Sequence, residues 1–276
     1  MTTVANLPDV ASVPQSAIKQ DVVYILSPSY SGSTLLTMLL ATHPDIATIG
    51  ELKAQAMGDV AQYVCSCGRK IRACSFWSAV TAQLRARGHD FDLADFGTHF
   101  RAPSSWLADR LLRASYRGPA FETARNAGLK AVSRCRKTVK RVLERNRVMI
   151  ETILDIQGGR IFLDASKDVI RLKHLLDAGL WNIKVIYLLR DGRGATKSYM
   201  RHYNVPMATA AREWARAHGE AERLLARLPR TDRLKMHYED LCRETPKTMD
   251  GAFRFIGCDP APSDLDFQAH EHHILG

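Results

Sequence analysis

The chain has 276 residues, of which 46% are hydrophobic and 25% are charged. This composition excludes disorder as the dominant state, because it supplies enough apolar surface for a buried core. No apolar run reaches the roughly 18–20 residues that a membrane-spanning helix needs. The N-terminal segment also lacks the basic region and apolar core of a secretory signal. We therefore expect a cytoplasmic protein without a membrane span.

The chain is basic, with 39 Lys and Arg against 29 Asp and Glu, and a net charge of +10. A positive balance favours anionic partners, which include phosphates, nucleic acid, a membrane surface or an acidic substrate. Charge alone does not choose among them, and the sequence gives no indication of oligomeric state.

Residues 1–20 mix Pro, Ser, Ala and Asn without periodicity and predict a loosely ordered tail before a domain that spans 21–276. Within that domain, short apolar runs rich in β-branched residues predict buried strands. These runs are Val22–Leu26, Ile46–Ile49, Ile161–Leu163, Lys184–Leu189 and Leu234–Tyr238. Helical patterns separate most of them, which predicts βαβ units and a parallel sheet.

The stretch 79–157 contains no convincing strand and predicts a large helical insertion, with breaks at glycines and prolines. Its last segment, Ser133–Gln157, places apolar residues near one face and Arg and Lys between them. This pattern favours an amphipathic helix with a solvated basic face over a nucleic-acid site. The predicted fold class is therefore α/β: a single domain with a central, mostly parallel sheet of about five strands and a helical insertion.

A loop with the sequence SPSYSGST, residues 27–34, joins the first strand to a helical pattern. Such a loop exposes backbone N–H groups at a helix N-terminus, where the dipole favours an anion. Gly32 allows close approach of a phosphate, and Ser31, Ser33 and Thr34 add hydroxyl groups. A plain Ser-rich turn is the alternative. Ser33 stands where nucleotide triphosphatase loops carry Lys, so one 5′-phosphate-like group fits better than a triphosphate.

A second candidate phosphate-binding element follows the strand Lys184–Leu189. Arg190 comes at the carboxyl end of this strand, where open α/β sheets bind ligands, and Ser198 lies in the first turns of the next helix. Arg can hold a phosphate through two hydrogen bonds, and a hydroxyl adds a directed donor. The alternative is an ordinary surface turn before a helix.

With both elements in this order, the sequence resembles the sulfotransferase superfamily that uses 3′-phosphoadenosine 5′-phosphosulfate. The segments ATHPD (41–45) and GEL (50–52) are most similar to the tyrosylprotein and carbohydrate sulfotransferase branch, and the resemblance covers 22–52 and 162–257. It implies that residues 31–34 bind the 5′-phosphosulfate, that Arg190 and Ser198 bind the 3′-phosphate, and that Tyr238 lies near the adenine.

The resemblance also implies the catalytic groups. Glu51 matches the carboxylate that deprotonates the acceptor, and Lys167 matches a lysine that stabilises the transition state. Tyr30 stands where most relatives have Lys or Arg, and a neutral phenol donates a hydrogen bond without a charge. Either Lys167 supplies the missing charge, Tyr30 itself donates, or catalysis is weak. The reaction would move a sulfuryl group in line to an acceptor hydroxyl or amine, with no catalytic metal required.

The expected partner is a small-molecule, carbohydrate or peptide acceptor, with no specific nucleic acid. Two other functions stay open at this point. One is a P-loop-type small-molecule kinase, against which Ser33 speaks. The other is a non-catalytic module that binds a nucleotide or nucleic acid.

Three of the six cysteines cluster in the sequence: Cys65, Cys67 and Cys74. Three thiolates with a fourth ligand bind zinc, but the spacing is not that of paired CxxC motifs. A disulfide and a reduced apolar cluster are the alternatives. The C-terminal segment 270–273 (HEHH) is rich in His but lacks a regular metal-binding pattern.

Overall fold

The computed structural model describes residues 19–53, 59–259 and 265–275. Most of the predicted N-terminal tail, residues 1–18, lies outside the described residues. The first strand begins at Gln20, which is the last residue of the predicted tail.

Five strands form one sheet, and all its neighbouring strands are parallel. They are β1 (Gln20–Leu26), β2 (Ile46–Thr48), β3 (Ile161–Lys167), β4 (Trp181–Leu189) and β5 (Arg233–His237). Their spatial order is β2-β3-β1-β4-β5. The α/β fold class with a central parallel sheet of five strands is therefore confirmed.

Helices connect the strands and cover both faces of the sheet. They are α1 (Ser33–Leu40), α2 (Ser75–Ala86), α3 (Trp106–Arg113), α4 (Pro119–Ala131), α5 (Ser133–Gln157), α6 (Val169–Ala178), α7 (Gly192–Tyr203), α8 (Met207–Leu225), α9 (Tyr238–Arg243) and α10 (Thr245–Ile256). Four of them, α2 to α5, occupy the stretch between β2 and β3. None of the helices in the described residues is long and apolar enough to cross a membrane.

Helix α5 has the bounds that its periodicity predicts. Val142, Met149 and Ile153 are buried along one face, whereas Lys137 and Arg141 on the other face are exposed. The helix ends where Gly158 takes a left-handed conformation that an L side chain adopts only with strain. The structure thus has the amphipathic helix with a solvated basic face.

The alternation of side chains along β1 divides the core into two layers. Tyr24 and Leu26 belong to the cluster that includes α2, α5 and α8, whereas Val23 and Ile25 pack with α1 and α10. Complete burial of such an aliphatic side chain contributes about 1.5–3 kcal/mol. Both faces of β1 are therefore buried in the core, as expected for a strand at the centre of the sheet.

The strand register brings the candidate site residues to one edge of the sheet. Leu26, the last residue of β1, pairs with Lys167 on β3 and with Tyr187 on β4. The segments that follow these three strands consequently meet at the carboxyl edge, where open parallel sheets bind ligands.

Candidate active site

The loop after β1 has the backbone of an anion-binding turn. Gly32 precedes α1 in the left-handed region, with φ 84°, and no side chain caps the helix N-terminus. The first turn of α1 also contains no acidic residue, so its N–H groups and dipole favour an anion. Ser31 is fully buried, and its Oγ has no hydrogen-bond partner among the described residues. An unpaired buried hydroxyl in this loop fits a bound polar ligand.

Tyr238 and Arg190 close one side of this loop. A Cβ at residue 32 would lie 2.3 Å from Cδ2 of Tyr238, so only glycine admits the ring here. The Arg190 guanidinium lies over the same ring at 4.7 Å from its centroid, and its Nη1 donates to the Tyr30 carbonyl at 3.1 Å. The segments after β1, β4 and β5 are therefore in direct contact.

Arg190 and Ser198 meet at Gly194, one turn before Ser198 on α7. A Cβ at residue 194 would lie 3.2 Å from Arg190 Nε, and the Ser198 hydroxyl donates to the Gly194 carbonyl at 3.1 Å. A depression of about 460 Å³ opens beside them. Its lining residues are Arg190, Asp191, Arg193, Gly194, Tyr238, Glu239, Cys242 and Arg243. The depression thus presents guanidinium groups next to an aromatic ring.

Glu51 and Lys167 are in contact with each other. Lys167 Nζ forms an ion pair with Glu51 Oε1, and the two side chains are 26% and 24% exposed, respectively. One residue follows β2 and the other ends β3, so the contact joins two separate segments. Both groups are accessible to a substrate while they remain partly shielded from solvent, which strengthens their interaction.

Hydrogen bonds to β3 hold the backbone on both sides of Glu51. Ala165 N donates to the Gly50 carbonyl at 2.8 Å, and Leu52 N donates to Asp164 Oδ1 at 3.3 Å. The Asp164 carboxylate is itself buried and paired with Arg171 at 2.9 Å. The position of Glu51 relative to Lys167 is therefore set by a buried network and not by its side chain alone.

Two of the proposed catalytic residues have strained backbones. In the described part of the chain, the non-glycine residues with positive φ are Tyr30 (64°), Lys167 (62°) and Asn204 (50°). Asn204 caps α7, a common place for this conformation. The left-handed conformation at the other two positions costs about 1–3 kcal/mol each, and such strain concentrates at functional sites.

The Tyr30 ring packs against helix α7. Its centroid lies 5.8 Å from Tyr199, 5.4 Å from His202 and 6.2 Å from Tyr203. Burial, followed by the neighbouring Tyr203, raises the pKa of Tyr30 to about 12. The phenol therefore stays neutral at physiological pH and can offer a hydrogen bond but no charge.

The cysteine cluster includes a residue that the sequence pattern did not identify. All three cysteines are free thiols, and the sulfurs of Cys67 and Cys74 are 3.7 Å apart, well beyond the roughly 2.05 Å of a disulfide bond. His273 Nδ1 lies 3.5 Å from Cys65 Sγ and 3.4 Å from Cys74 Sγ. The His-rich C-terminal segment is the sequence signal for this fourth residue, but about 200 residues of sequence separate it from the cysteines.

The family of the chain follows from comparison with known proteins. The sequence profile described as "Sulfotransferase family" matches residues 23–262. The match covers most of the chain, which therefore belongs to this family and is a sulfotransferase. No curated protein matches the sequence.

Solved structures similar to this chain are also sulfotransferases. The sulfotransferase domain from the curacin biosynthetic pathway is 17% identical with a TM-score of 0.51, and the alignment covers 89% of this chain and 79% of that one. The sulfotransferase domain of the Synechococcus PCC 7002 olefin synthase is 21% identical with a TM-score of 0.49, over 94% and 86% of the two chains. A sulfotransferase from Mycobacterium tuberculosis H37Rv is 16% identical with a TM-score of 0.49, over 92% and 71%. At 17% identity, the similarity to the curacin-pathway domain supports the fold alone. The nearer resemblance to the tyrosylprotein and carbohydrate branch stays a prediction.

Proposed function

We propose that this sulfotransferase moves a sulfuryl group from 3′-phosphoadenosine 5′-phosphosulfate to an acceptor hydroxyl or amine by direct in-line transfer. The observation that carries the proposal is the Glu51–Lys167 ion pair at the edge of the sheet where β1 enters the loop 27–34. It places a base and a cation together beside an anion-binding turn.

The residues of the loop and of the depression fit the donor nucleotide. The N-terminus of α1, with Ser31, Ser33 and Thr34, would hold the 5′-phosphosulfate, and Arg190 with Ser198 would hold the 3′-phosphate. Tyr238 would lie against the adenine. The donor, when bound, supplies the sulfuryl group and the leaving phosphate.

The protein's own groups have three tasks in this proposal. Glu51 accepts the proton of the acceptor hydroxyl at its Oε1, where Lys167 Nζ now lies. Lys167 turns its ammonium to the charge that develops on the transferring group, which is stabilisation by a preorganised donor. Tyr30 contributes a neutral hydrogen bond at most.

We further propose that the acceptor approaches from a groove of about 120 Å³ next to the catalytic pair. Its residues are Lys53, His99, Phe100, Leu112, Arg113, Asp168, Ile170 and Arg171. Lys53 and Asp168 pair with each other at 2.5 Å. Burial, and then the charge of Lys53, lowers the pKa of His99 to about 4, so the imidazole is neutral at pH 7. The other two cations of the groove are paired with carboxylates outside its lining, Arg113 with Asp109 at 3.1 Å and Arg171 with Asp164 at 2.9 Å. A groove whose charges are paired suits an uncharged hydroxyl compound, which is compatible with a small-molecule, carbohydrate or peptide acceptor.

Nucleotide affinity tests the donor assignment directly. Calorimetry should show that adenosine 3′,5′-bisphosphate binds about tenfold to hundredfold more tightly than 5′-AMP, the range expected for charge-assisted hydrogen bonds to one phosphate. Arg190→Ala should remove most of this preference, whereas Arg201→Ala should keep it, because Arg201 is an exposed arginine on helix α7, which follows Arg190. Equal affinities for the two nucleotides in the unchanged protein would refute the proposal. A cytoplasmic location belongs to the same proposal and is tested by cell fractionation.

A further inference from the structure

Three cysteines and one histidine form a compact group of ligand atoms far from the catalytic pair in sequence. The Sγ atoms of Cys65, Cys67 and Cys74 and a ring nitrogen of His273 all lie within 4.8 Å of one another. We propose that this group is a structural zinc site, and that the metal fastens the C-terminal segment 270–275 beside Glu51.

Three of the distances between the ligand atoms match those of a tetrahedral zinc site. Bonds of about 2.3 Å to sulfur and 2.0–2.1 Å to nitrogen at a tetrahedral angle separate two sulfurs by about 3.8 Å and a sulfur from a nitrogen by about 3.6 Å. The corresponding distances are 3.7 Å for Cys67 to Cys74, 3.4 Å for Cys74 to His273 and 3.5 Å for Cys65 to His273. Thiolates with one imidazole in this geometry select zinc among the common metals.

The cysteine turn is built to present two sulfurs on one side. Gly68 takes a left-handed conformation with φ 82°, and its N–H donates to the Cys65 carbonyl at 2.8 Å. Cys65 N donates in turn to the Arg69 carbonyl at 2.8 Å, which closes a short hairpin. Three thiolates and Zn²⁺ carry a net charge of −1, and the hairpin residues Arg69 and Lys70 offset this charge.

His273 is held in the orientation that a ligand needs. Its ring stacks on Phe76, with centroids 4.4 Å apart and planes 4° apart. Nδ1 is the atom that approaches the sulfurs, while Nε2 lies 3.7 Å from Glu271 Oε1. With Nδ1 bound to metal, the proton resides on Nε2, on the side of the ring that faces the Glu271 carboxylate.

Ser66 ties the backbone of the fourth ligand to the cysteine turn. Its hydroxyl donates to the His272 carbonyl at 2.7 Å and accepts from Ile274 N at 2.8 Å, so it bridges the residues on both sides of His273. Ser66, which lies between two cysteine ligands, is therefore bonded to the backbone on both sides of the histidine ligand. This arrangement is more specific than the packing of three reduced thiols.

The segment that the metal would hold lies against the catalytic strand end. Two residues after His273, Leu275 N donates to the Ile49 carbonyl at 2.7 Å, and its carbonyl accepts from Glu51 N at 3.2 Å. Gly50 is required at this contact, because a Cβ there would lie 2.5 Å from the Leu275 carbonyl oxygen. Zinc at the cysteine turn would thus fix a segment that supports the backbone of Glu51.

Elemental analysis of the full-length protein, expressed with zinc and freed of any histidine tag, tests the site. We expect about one zinc per chain, bound tightly enough to survive gel filtration. His273→Gln should lose most of the metal, and His270→Gln, an exposed histidine of the same segment, should keep it. Because a ligand variant can fail to fold, the unchanged protein is also reconstituted with Co²⁺, which should give tetrahedral ligand-field bands and thiolate-to-cobalt charge transfer.

Three results would overturn the proposal. One is an unchanged protein that contains no zinc and binds no Co²⁺. Another is a mass lower by two hydrogens with two cysteines protected from alkylation, which would indicate a disulfide. The third is a His273→Gln variant that retains zinc as tightly as the unchanged protein, which would remove the fourth ligand. Hydrogen exchange at 270–275 should also accelerate when a chelator removes the metal, and unchanged exchange would argue against the fastening role.

Discussion

Replacement of Lys167 separates its proposed catalytic role from its structural one. The ammonium pairs with Glu51 in a contact that is about one quarter exposed, and a pair of this kind contributes about 1 kcal/mol to stability or less. Removal of one preorganised donor in a transition state costs about 10²–10³ in turnover, or about 2.7–4 kcal/mol. We therefore expect Lys167→Met to lose turnover by about this factor, with a smaller loss of stability and nearly unchanged nucleotide affinity.

The backbone of Lys167 provides the control. Its φ of 62° is strained for any L residue but free for glycine. Lys167→Gly removes the ammonium and relieves about 1–2 kcal/mol of strain, which offsets the lost ion pair and the greater freedom of glycine in the unfolded chain. This variant should therefore remain within about 1 kcal/mol of the parent in unfolding free energy and still be as inactive as Lys167→Met.

The assay is transfer of radiolabelled sulfur from the donor nucleotide to an acceptor found by screening hydroxyl compounds, in single turnover. Unfolding in urea gives the stability of each variant. Turnover of Lys167→Gly within about threefold of the parent would refute the role of the ammonium, because no preorganised donor of this kind is so weak. If Lys167→Met kept nearly all of its turnover while Tyr30→Phe lost most of it, the role would belong to the phenol instead.

The remaining predictions concern the loop, the base and acid stability. Glu51→Gln should keep nucleotide affinity but lose about 10²–10⁴ in single-turnover rate, and an unchanged rate would exclude Glu51 as the base. Tyr30→Phe should lose about fivefold to tenfold in turnover, which is the contribution of one hydrogen bond. The loss should be the same between about pH 6 and 9, because the pKa of about 12 keeps the phenol protonated. A loss that varies across this range would contradict the neutral role. Gly32→Ala should abolish nucleotide binding in a calorimeter, since its Cβ would collide with Tyr238; retained affinity would show that the ring moves freely. Burial lowers the pKa of His174 to about 4, so the unfolded chain binds the extra proton first. His174 should therefore lower the unfolding free energy by up to ~1.4 kcal/mol per pH unit from about pH 6.5 toward pH 4, and His99, with its pKa also at about 4, should add a similar amount. A flat profile in urea unfolding would contradict this.

Local patterns in the sequence were sufficient for the fold class, and they also predict two candidate phosphate-binding elements. The strands β1 to β4 contain short apolar runs, and α5 is a long amphipathic helix, because burial of β1 and of one helix face requires those residue periods. Gly32 and Arg190 are predicted as site residues for a similar reason: a tight loop and the end of a parallel strand impose requirements on single residues. The family profile confirms the class of enzyme that these elements indicate.

Only the tertiary structure decided which distant residues meet. The contact between Glu51 and Lys167 depends on the pairing of β2 with β3, which places together residues that are 116 positions apart. The ring environment of Tyr30 depends on how α7 packs on the loop. His273 joins the cysteines because the C-terminal segment returns to pair with Ile49 and Glu51, across about 200 residues of sequence. Periodicity reports only on the nearest neighbours along the chain, whereas these contacts follow from strand order and core packing, which the sequence encodes only as a whole.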